Sequence, residues 1–299
     1  MIMINENAQQ MAHPEFPKDG QDTCSLPLCN QSKNSHARSS AYWRGRFGGF
    51  ATCLSLSLLI LVAPPIVRAA APAAAIAAAI ADPSRPAEDV ARDAARKPAA
   101  TLEFAGVKPG DKVADYIANS GYFTRLLAGV VGPKGHVYSV ELNEIVKDGS
   151  GAKGYTGLKD WVQGRANVSL ETEQSISSPS FPEKLDVFWI TLNYHDLHDK
   201  FLGPVDIAVF NKAVFAALKS GGVYIILDHA AAAGAPADVT DKLHRIDPAV
   251  VRQEVEAAGF HFDGESPILA NPDDPRTVPM WDKSVKGRTD QFLYRFRKP

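Results

Sequence analysis

The stretch that most constrains this chain is VADYIANSGYFTRLLAGVVGPKGHVYSVELN, residues 113–143. The apolar run at residues 112–116 predicts a short strand, a turn follows, and the apolar spacing from Tyr122 onward predicts a helix. A Gly-Pro-Lys-Gly turn at residues 132–135 then leads into a second strand that ends on Glu141. A parallel strand feeding a helix leaves backbone N–H groups unpaired at the helix start. An acidic residue closing the next strand can accept hydrogen bonds from both hydroxyls of a ribose. Asp115 and Glu141 stand where such a pocket needs acceptors, so the unit reads as a framework for gripping a nucleotide-like ligand.

On these residues the chain resembles the class I S-adenosylmethionine-dependent methyltransferases, whose first motif is an acidic residue followed by a Gly-rich turn. More narrowly, it is similar to a family of predicted bacterial methyltransferases, often with export leaders. Four segments carry that likeness: RPAEDVARDAARKP (85–98), the stretch above continued by NEIVKDG (143–149), HRIDPAVVRQEVEAAGF (244–260) and GRTDQFLYRFRKP (287–299). The resemblance implies a Rossmann-like methyltransferase fold and S-adenosyl-L-methionine as cofactor, held by Asp115, Asn119, Gly121, Tyr122, Glu141 and Asn193. It also places the segment at 85–98 near the cofactor pocket, whereas composition alone makes Arg92 and Arg96 part of a solvated face. In one respect the chain departs from the general motif. Three alternate positions that would be glycine are Ile117, Asn119 and Gly121, so only the last is kept. Ile117 cannot lie flat under a ligand as glycine does, and Asn119 tolerates a left-handed backbone but fills space.

The 299 residues allow one medium α/β domain plus an appendage. Residues 1–42 are polar and aperiodic and are expected to be disordered. Arg44 and Arg46 precede an uncharged run at 47–67 with a small-residue exit, the pattern of a signal peptide, with an uncleaved membrane anchor as the rival. Export to the periplasm is therefore expected. It sits awkwardly with a cofactor made in the cytosol. Residues 70–84 read as an Ala-rich linker, or a leading helix with no face to bury, and 85–299 as the methyltransferase-like domain. The first 69 residues hold six of the 32 basic and four of the 34 acidic residues, leaving the remainder at a formal −4. That balance gives no electrostatic footprint for nucleic acid. Cys24, Cys29 and Cys53 all fall in the leader region, so the folded part has no disulfide, thiol nucleophile or Cys-ligated metal.

Further along, the pattern predicts a helix at 155–163, strands near 168–170 and at 185–197, a helix at 206–219 closed by Gly221 and Gly222, and a fifth strand ending on Asp228 and His229. A helix at 244–258 and a closing strand pair complete the pattern. Strands alternating with helices predict a doubly wound, mostly parallel sheet, and the resemblance implies seven strands with an antiparallel edge strand.

In such sheets ligands sit outside the carboxyl ends of the strands where strand order reverses. The strand ends here supply Asp115 to Gly121, Glu141, NYHDLHD (193–199), and Asp228 with His229. His195 and His229 are the preferred acid/base candidates, since imidazole titrates near neutral pH, with Asp228 and His244 beside them. The set His195, Asp196, Asp228, His229 and His244 fits either an acid/base group or a divalent ion that lowers a substrate hydroxyl's pKa. Its spacing does not distinguish the two, and no metal ligand is assigned. Methyl transfer from a sulfonium to a small molecule needs alignment, proton removal and exclusion of water, but no covalent residue. The alternatives are a methyltransferase-like binding module without turnover, and a non-methylating enzyme that uses the His/Asp rim. A dinucleotide-dependent dehydrogenase needs more glycine than residues 117–121 provide.

Overall fold

The computed structural model describes residues 72–143, 152–172 and 175–299, all within the compact unit that runs from Pro64 to Pro299. The expected extension (1–42) and leader (43–69) lie outside the described residues. Among the described residues, no helix is long and apolar enough to cross a membrane.

The frame is one sheet of seven strands: β1 (Lys112–Tyr116), β2 (His136–Val140), β3 (Val168–Glu171), β4 (Leu185–Thr191), β5 (Leu218–His229), β6 (His261–Ser266) and β7 (Gln291–Arg297). Their order is β3-β2-β1-β4-β5-β7-β6. The first five pair in parallel, and β7 runs antiparallel to both β5 and β6. The expected doubly wound sheet is therefore present. Its antiparallel strand lies one in from the margin, with β6 outermost.

The two-residue period of β1 explains how the sheet is covered. Val113, with Val137, Trp189 and Ile225 of neighbouring strands, packs against Leu126 and Leu127 of α5 (Tyr122–Val131). Ala114 and Tyr116 join Phe188 and Tyr224 on the other face. There they meet Phe210 of α7 (Ile207–Ala217) and Val251 and Val255 of α9 (Pro248–Ala257). Strand order reverses between β1 and β4, so the two turns that leave these strands diverge and open a cleft.

Ahead of the sheet stand α1 (Pro72–Ile80), α2 (Ala87–Val90), α3 (Asp93–Arg96) and α4 (Pro98–Ala105), while α6 (Ala152–Val162) leads into β3. Pro98 opens α4 and the left-handed Gly106 caps it, as the sequence suggests. Residues 70–84 differ from expectation. They form α1, which buries Ile76 and Ala79, and Ala79 sits so close to Gly129 of α5 that a Cβ there would come within 2.7 Å of its own.

Two boundaries also move. Gly221 and Gly222 lie inside β5 rather than after the helix, because Leu218 already leaves α7 with an extended backbone and pairs with Leu185. The next pairing on β4 is Val187 with Val223, so β5 bulges between, and Gly221 absorbs the bulge at φ +77°. The helix expected at 244–258 begins only at Pro248. His244 takes a left-handed φ of 46° at the end of α8 (Val239–Leu243), and Ile246 bridges to Ala230. Asp247 then caps α9 by accepting from the Ala249 N–H, with Pro248 at its first position.

Candidate functional site

At the carboxyl end of β1 the backbone turns through Ile117 to Gly121 before α5 begins. Ile117, Asn119 and Gly121 all have positive φ, at 58°, 54° and 77°. The backbone therefore keeps the left-handed conformation at each motif position although two carry side chains. A β-branched residue there is a genuine outlier, costing on the order of 1–3 kcal/mol. Ile117 is held by what surrounds it. Its side chain is 2% exposed in the core beside Tyr116 and Tyr194, and its carbonyl accepts from the side-chain amides of Asn119 (3.1 Å) and Asn193 (3.2 Å). Asn119 also donates to Asn193 Oδ1 at 3.3 Å, joining the turns after β1 and β4. Gly121 is fixed independently, since a Cβ would lie 2.4 Å from Cδ1 of the buried Leu158.

These turns wall a cleft of about 430 Å³, within the range of small-ligand sites. Asp115, Asn119, Tyr122, Asn193, His195, His229 and His244 all border it. Asp228 stands behind His195, and Gly121 shapes the turn. Asp115 accepts from Thr124 Oγ1 at 2.6 Å, and burial pushes its carboxyl up to about 6 against the opposing pull of that bond and of Arg96. Glu141 does not border the cleft directly. It is buried beside the turn, where its Oε1 accepts from the Leu142 N–H at 3.1 Å and the Asn119 N–H also favours its ionised form. Its Oε2 has no hydrogen-bond partner among the described residues, and burial raises the group to about 7.

The arginines that composition assigns to a solvated face instead belong to the site. Arg92 and Arg96 border the cleft, and Arg96 lies 4.6 Å from the Tyr122 ring centroid, with burial and the neighbouring Arg92 lowering it to about 10. Among the described residues no carboxylate comes within ion-pair distance of Arg96. Arg92 donates to Ser120 Oγ (3.2 Å) and pairs with the buried Asp89, which also holds Arg125 at 3.0 Å. Arg125 in turn donates to the Ser120 carbonyl at 2.6 Å. Tyr122 donates to Asp93 at 2.7 Å, and Asp93 is bidentate with Arg85. Residues 85–98 thus clamp the turn in place. The regular Arg and Asp spacing of that segment is the signal that could have marked them.

Across the cleft, His195 lies on a single 3-10 turn with Asp196 just after β4. Its Nδ1 and its backbone N–H both meet Asp228, each at 2.8 Å. Its Nε2 lies 3.1 Å from Asp196 Oδ1 and 3.3 Å from His244 Nδ1. Burial alone would lower the imidazole, but Asp228 and Asp196 outweigh it and raise the group well above its ordinary value. His229 differs from its neighbour. Its Nδ1 meets Thr289 Oγ1 at 2.6 Å, and burial pulls it down to about 4, so it is neutral at pH 7. The loop after β5 is anchored by the fully buried Arg245, which is bidentate with Asp274 and donates to the Ala230 carbonyl.

No protein-family model matches the chain. It is 36% identical over 70 residues to a ubiquinone/menaquinone biosynthesis C-methyltransferase of Ectopseudomonas mendocina, covering 22% of this chain and 27% of that protein. It is 38% identical over 73 residues to a protein-L-isoaspartate O-methyltransferase of Aeropyrum pernix, covering 23% and 28%. The chain spans about a quarter of the length of these relatives. Similar solved structures include an S-adenosylmethionine-dependent methyltransferase from Aquifex aeolicus (TM-score 0.48, 17% identity, 76% of this chain and 98% of that one). Another, from Mesorhizobium loti, gives a TM-score of 0.47 and 16% identity over 69% of this chain and all of that one. The sheet is doubly wound with seven strands, as expected, and β7 is inserted antiparallel between β5 and β6.

Proposed function

We propose that the protein transfers a methyl group from S-adenosyl-L-methionine to a small-molecule acceptor in the cleft between the turns after β1 and β4. The observation that carries this reading is the turn at 117–121. Its three motif positions hold a left-handed backbone at the sheet's reversal point, beside a buried Glu141 whose Oε2 lacks a donor among the described residues. A ribose hydroxyl is a donor of the right kind for that oxygen. The short matches to two methyltransferases point the same way.

The cofactor, when bound, supplies an electrophilic methyl on a sulfonium; the rest is done by this chain's own groups. Asp115 offers the sugar an acceptor on the cleft wall, Glu141 one buried beside the turn, and Tyr122 gives the cleft an aromatic wall. Arg96, with no carboxylate partner among the described residues, is placed to hold an acidic group such as the cofactor's amino-acid carboxylate. His229, neutral at pH 7, has a ring nitrogen to take a proton from an acceptor hydroxyl. The test is titration calorimetry with S-adenosylmethionine and its demethylated product. One equivalent of each should bind, and Arg96→Gln should weaken both by about 10- to 100-fold, the worth of a charged hydrogen bond. Absence of heat with either ligand in folded protein overturns the reading.

A further inference from the structure

The rim of the cleft carries a group of side chains that proton transfer does not explain. His195 Nε2, Asp196 Oδ1, Asp199 Oδ2 and His244 Nδ1 converge from two elements, with all four donor atoms within 4.8 Å of one another. The separations are 3.1 Å for His195 to Asp196, 3.3 Å for His195 to His244, 3.6 Å for His244 to Asp196 and 3.9 Å for His244 to Asp199. Metal–ligand bonds of about 2.0–2.2 Å put the corners of a tetrahedron roughly 3.3–3.6 Å apart. The cluster is near that size already.

A second observation points to a missing cation. The Asp199 side chain is 2% exposed, and neither of its oxygens has a hydrogen-bond partner. Thr240 lies alongside without a hydrogen bond of acceptable geometry. Among the described residues no Lys or Arg lies within ion-pair distance of Asp196, Asp199 or Asp228. Within that distance, among the described residues, the three buried carboxylates meet imidazoles alone. An unpaired buried carboxylate is costly and is normally found coordinating a metal or paired.

His195 is also presented as a ligand. Its Nδ1 is tied to Asp228 at 2.8 Å, and Asp228 is itself fixed by the backbone N–H groups of His195 and His229. That leaves Nε2 directed at the cluster, the carboxylate–histidine arrangement that orients a metal-bound imidazole. His244 holds a left-handed backbone at φ 46° to bring its Nδ1 in, and its side chain is 31% exposed, which leaves a path from solvent.

We infer that His195, Asp196, Asp199 and His244 form a binding site for one divalent first-row transition-metal ion, with Asp228 orienting His195. Two imidazoles and two carboxylates suit Zn²⁺, and also Co²⁺, Fe²⁺ or Mn²⁺, better than the all-oxygen shells of Ca²⁺ or Mg²⁺. The site stands apart from the proposed methyl transfer, since it is defined by donors and would bind metal in an enzyme or a binding module alike. If the transfer reading holds, the ion lies on the acceptor side of the cleft, opposite Asp115 and Arg96.

The test uses full-length, chelator-treated protein in which Cys24, Cys29 and Cys53 are serine, so that leader thiols do not compete. Co²⁺ is titrated by visible absorption and Zn²⁺ by calorimetry, with no methyl donor present. One equivalent of each should bind, with a Co²⁺ spectrum of nitrogen and oxygen ligation. His244→Ala, at a half-exposed position that the fold tolerates, should weaken binding at least about 100-fold. Asp199→Asn and Asp228→Asn should weaken it about 10- to 100-fold, while His261→Gln, exposed on β6 and away from the cleft, should bind as the parent does. Failure of the parent to take up stoichiometric Co²⁺ or Zn²⁺, or unchanged affinity in both His244→Ala and Asp199→Asn, overturns the inference. Calorimetry with S-adenosylmethionine on the same samples reports separately on the methyl-donor site.

Discussion

Glu141→Gln should change how stability depends on pH by an amount that the structure fixes. Burial lifts Glu141 from its ordinary 4.5 to about 7. A carboxyl raised on folding is neutral in both states below pH 4.5, so there its contribution is fully present. Between 4.5 and 7 the unfolded chain ionises while the folded one resists, and stability falls as pH rises; above 7 both are ionised and the loss levels off. Integrating between pH 5 and pH 8 gives a loss of about 2.5 kcal/mol at 1.36 kcal/mol per unit. Glutamine has no such titration. The stability of Glu141→Gln relative to the parent should therefore improve by about 2.5 kcal/mol across that interval. The offset at any one pH also depends on how well the new amide is satisfied, but the change with pH does not. Urea unfolding of both proteins at pH 5 and pH 8 measures it. Parallel pH dependences would refute the argument that Glu141 is a buried, charge-penalised acceptor. Affinity for S-adenosylmethionine should move the other way, falling in the variant and losing the rise with pH through 7 expected of the parent.

Two further outcomes follow from the turn and from the loop after β5. Asn119→Gly removes an exposed side chain from a left-handed position beside Glu141. Stability should stay within about 1 kcal/mol of the parent, and calorimetric affinity for the methyl donor should rise several-fold; a lower affinity would mean that the Asn119–Asn193 bond matters more than space. Arg245→Ala strips Asp274 of its bidentate partner in the interior and frees the Ala230 carbonyl. Leaving that carboxylate buried should cost about 3–5 kcal/mol in chemical denaturation.

The sheet could be read from the chain wherever burial imposes a simple period. Residues 112–116 alternate between two apolar faces, and α5 begins at Tyr122 because the turn before it ends on Gly121. The misread boundaries share a cause: local signals were overridden by tertiary pairing. Gly221 and Gly222 look like a helix stop, but Leu218 finds a partner in Leu185 first. His244 heads a run with helical spacing, yet its neighbour Ile246 is drawn into a bridge with Ala230. The site divides in the same way. Asp115, Asn119, Asn193, His195 and His229 follow from strand ends, which topology alone brings to one rim. Arg96 shares the Arg and Asp spacing of its segment, but no local pattern says that α3 docks against Tyr122. Asp199 falls one tight turn from His195 and Asp196, a spacing that hints that they share a side. Its meeting with His244 depends on a contact 45 positions away in the chain, which no local pattern encodes.

The placement of β7 has a consequence for how the molecule is assembled. β5 is the only strand bridging the parallel half to the rest, and its outer edge is completed by residues 291–297, which also carry β6. Until that segment emerges from the ribosome, a twelve-residue strand exposes a row of unpaired backbone groups along one edge, and β6 lacks its strand partner. Pairing of β7 with β5 therefore closes an edge that would otherwise be open to wrong pairing.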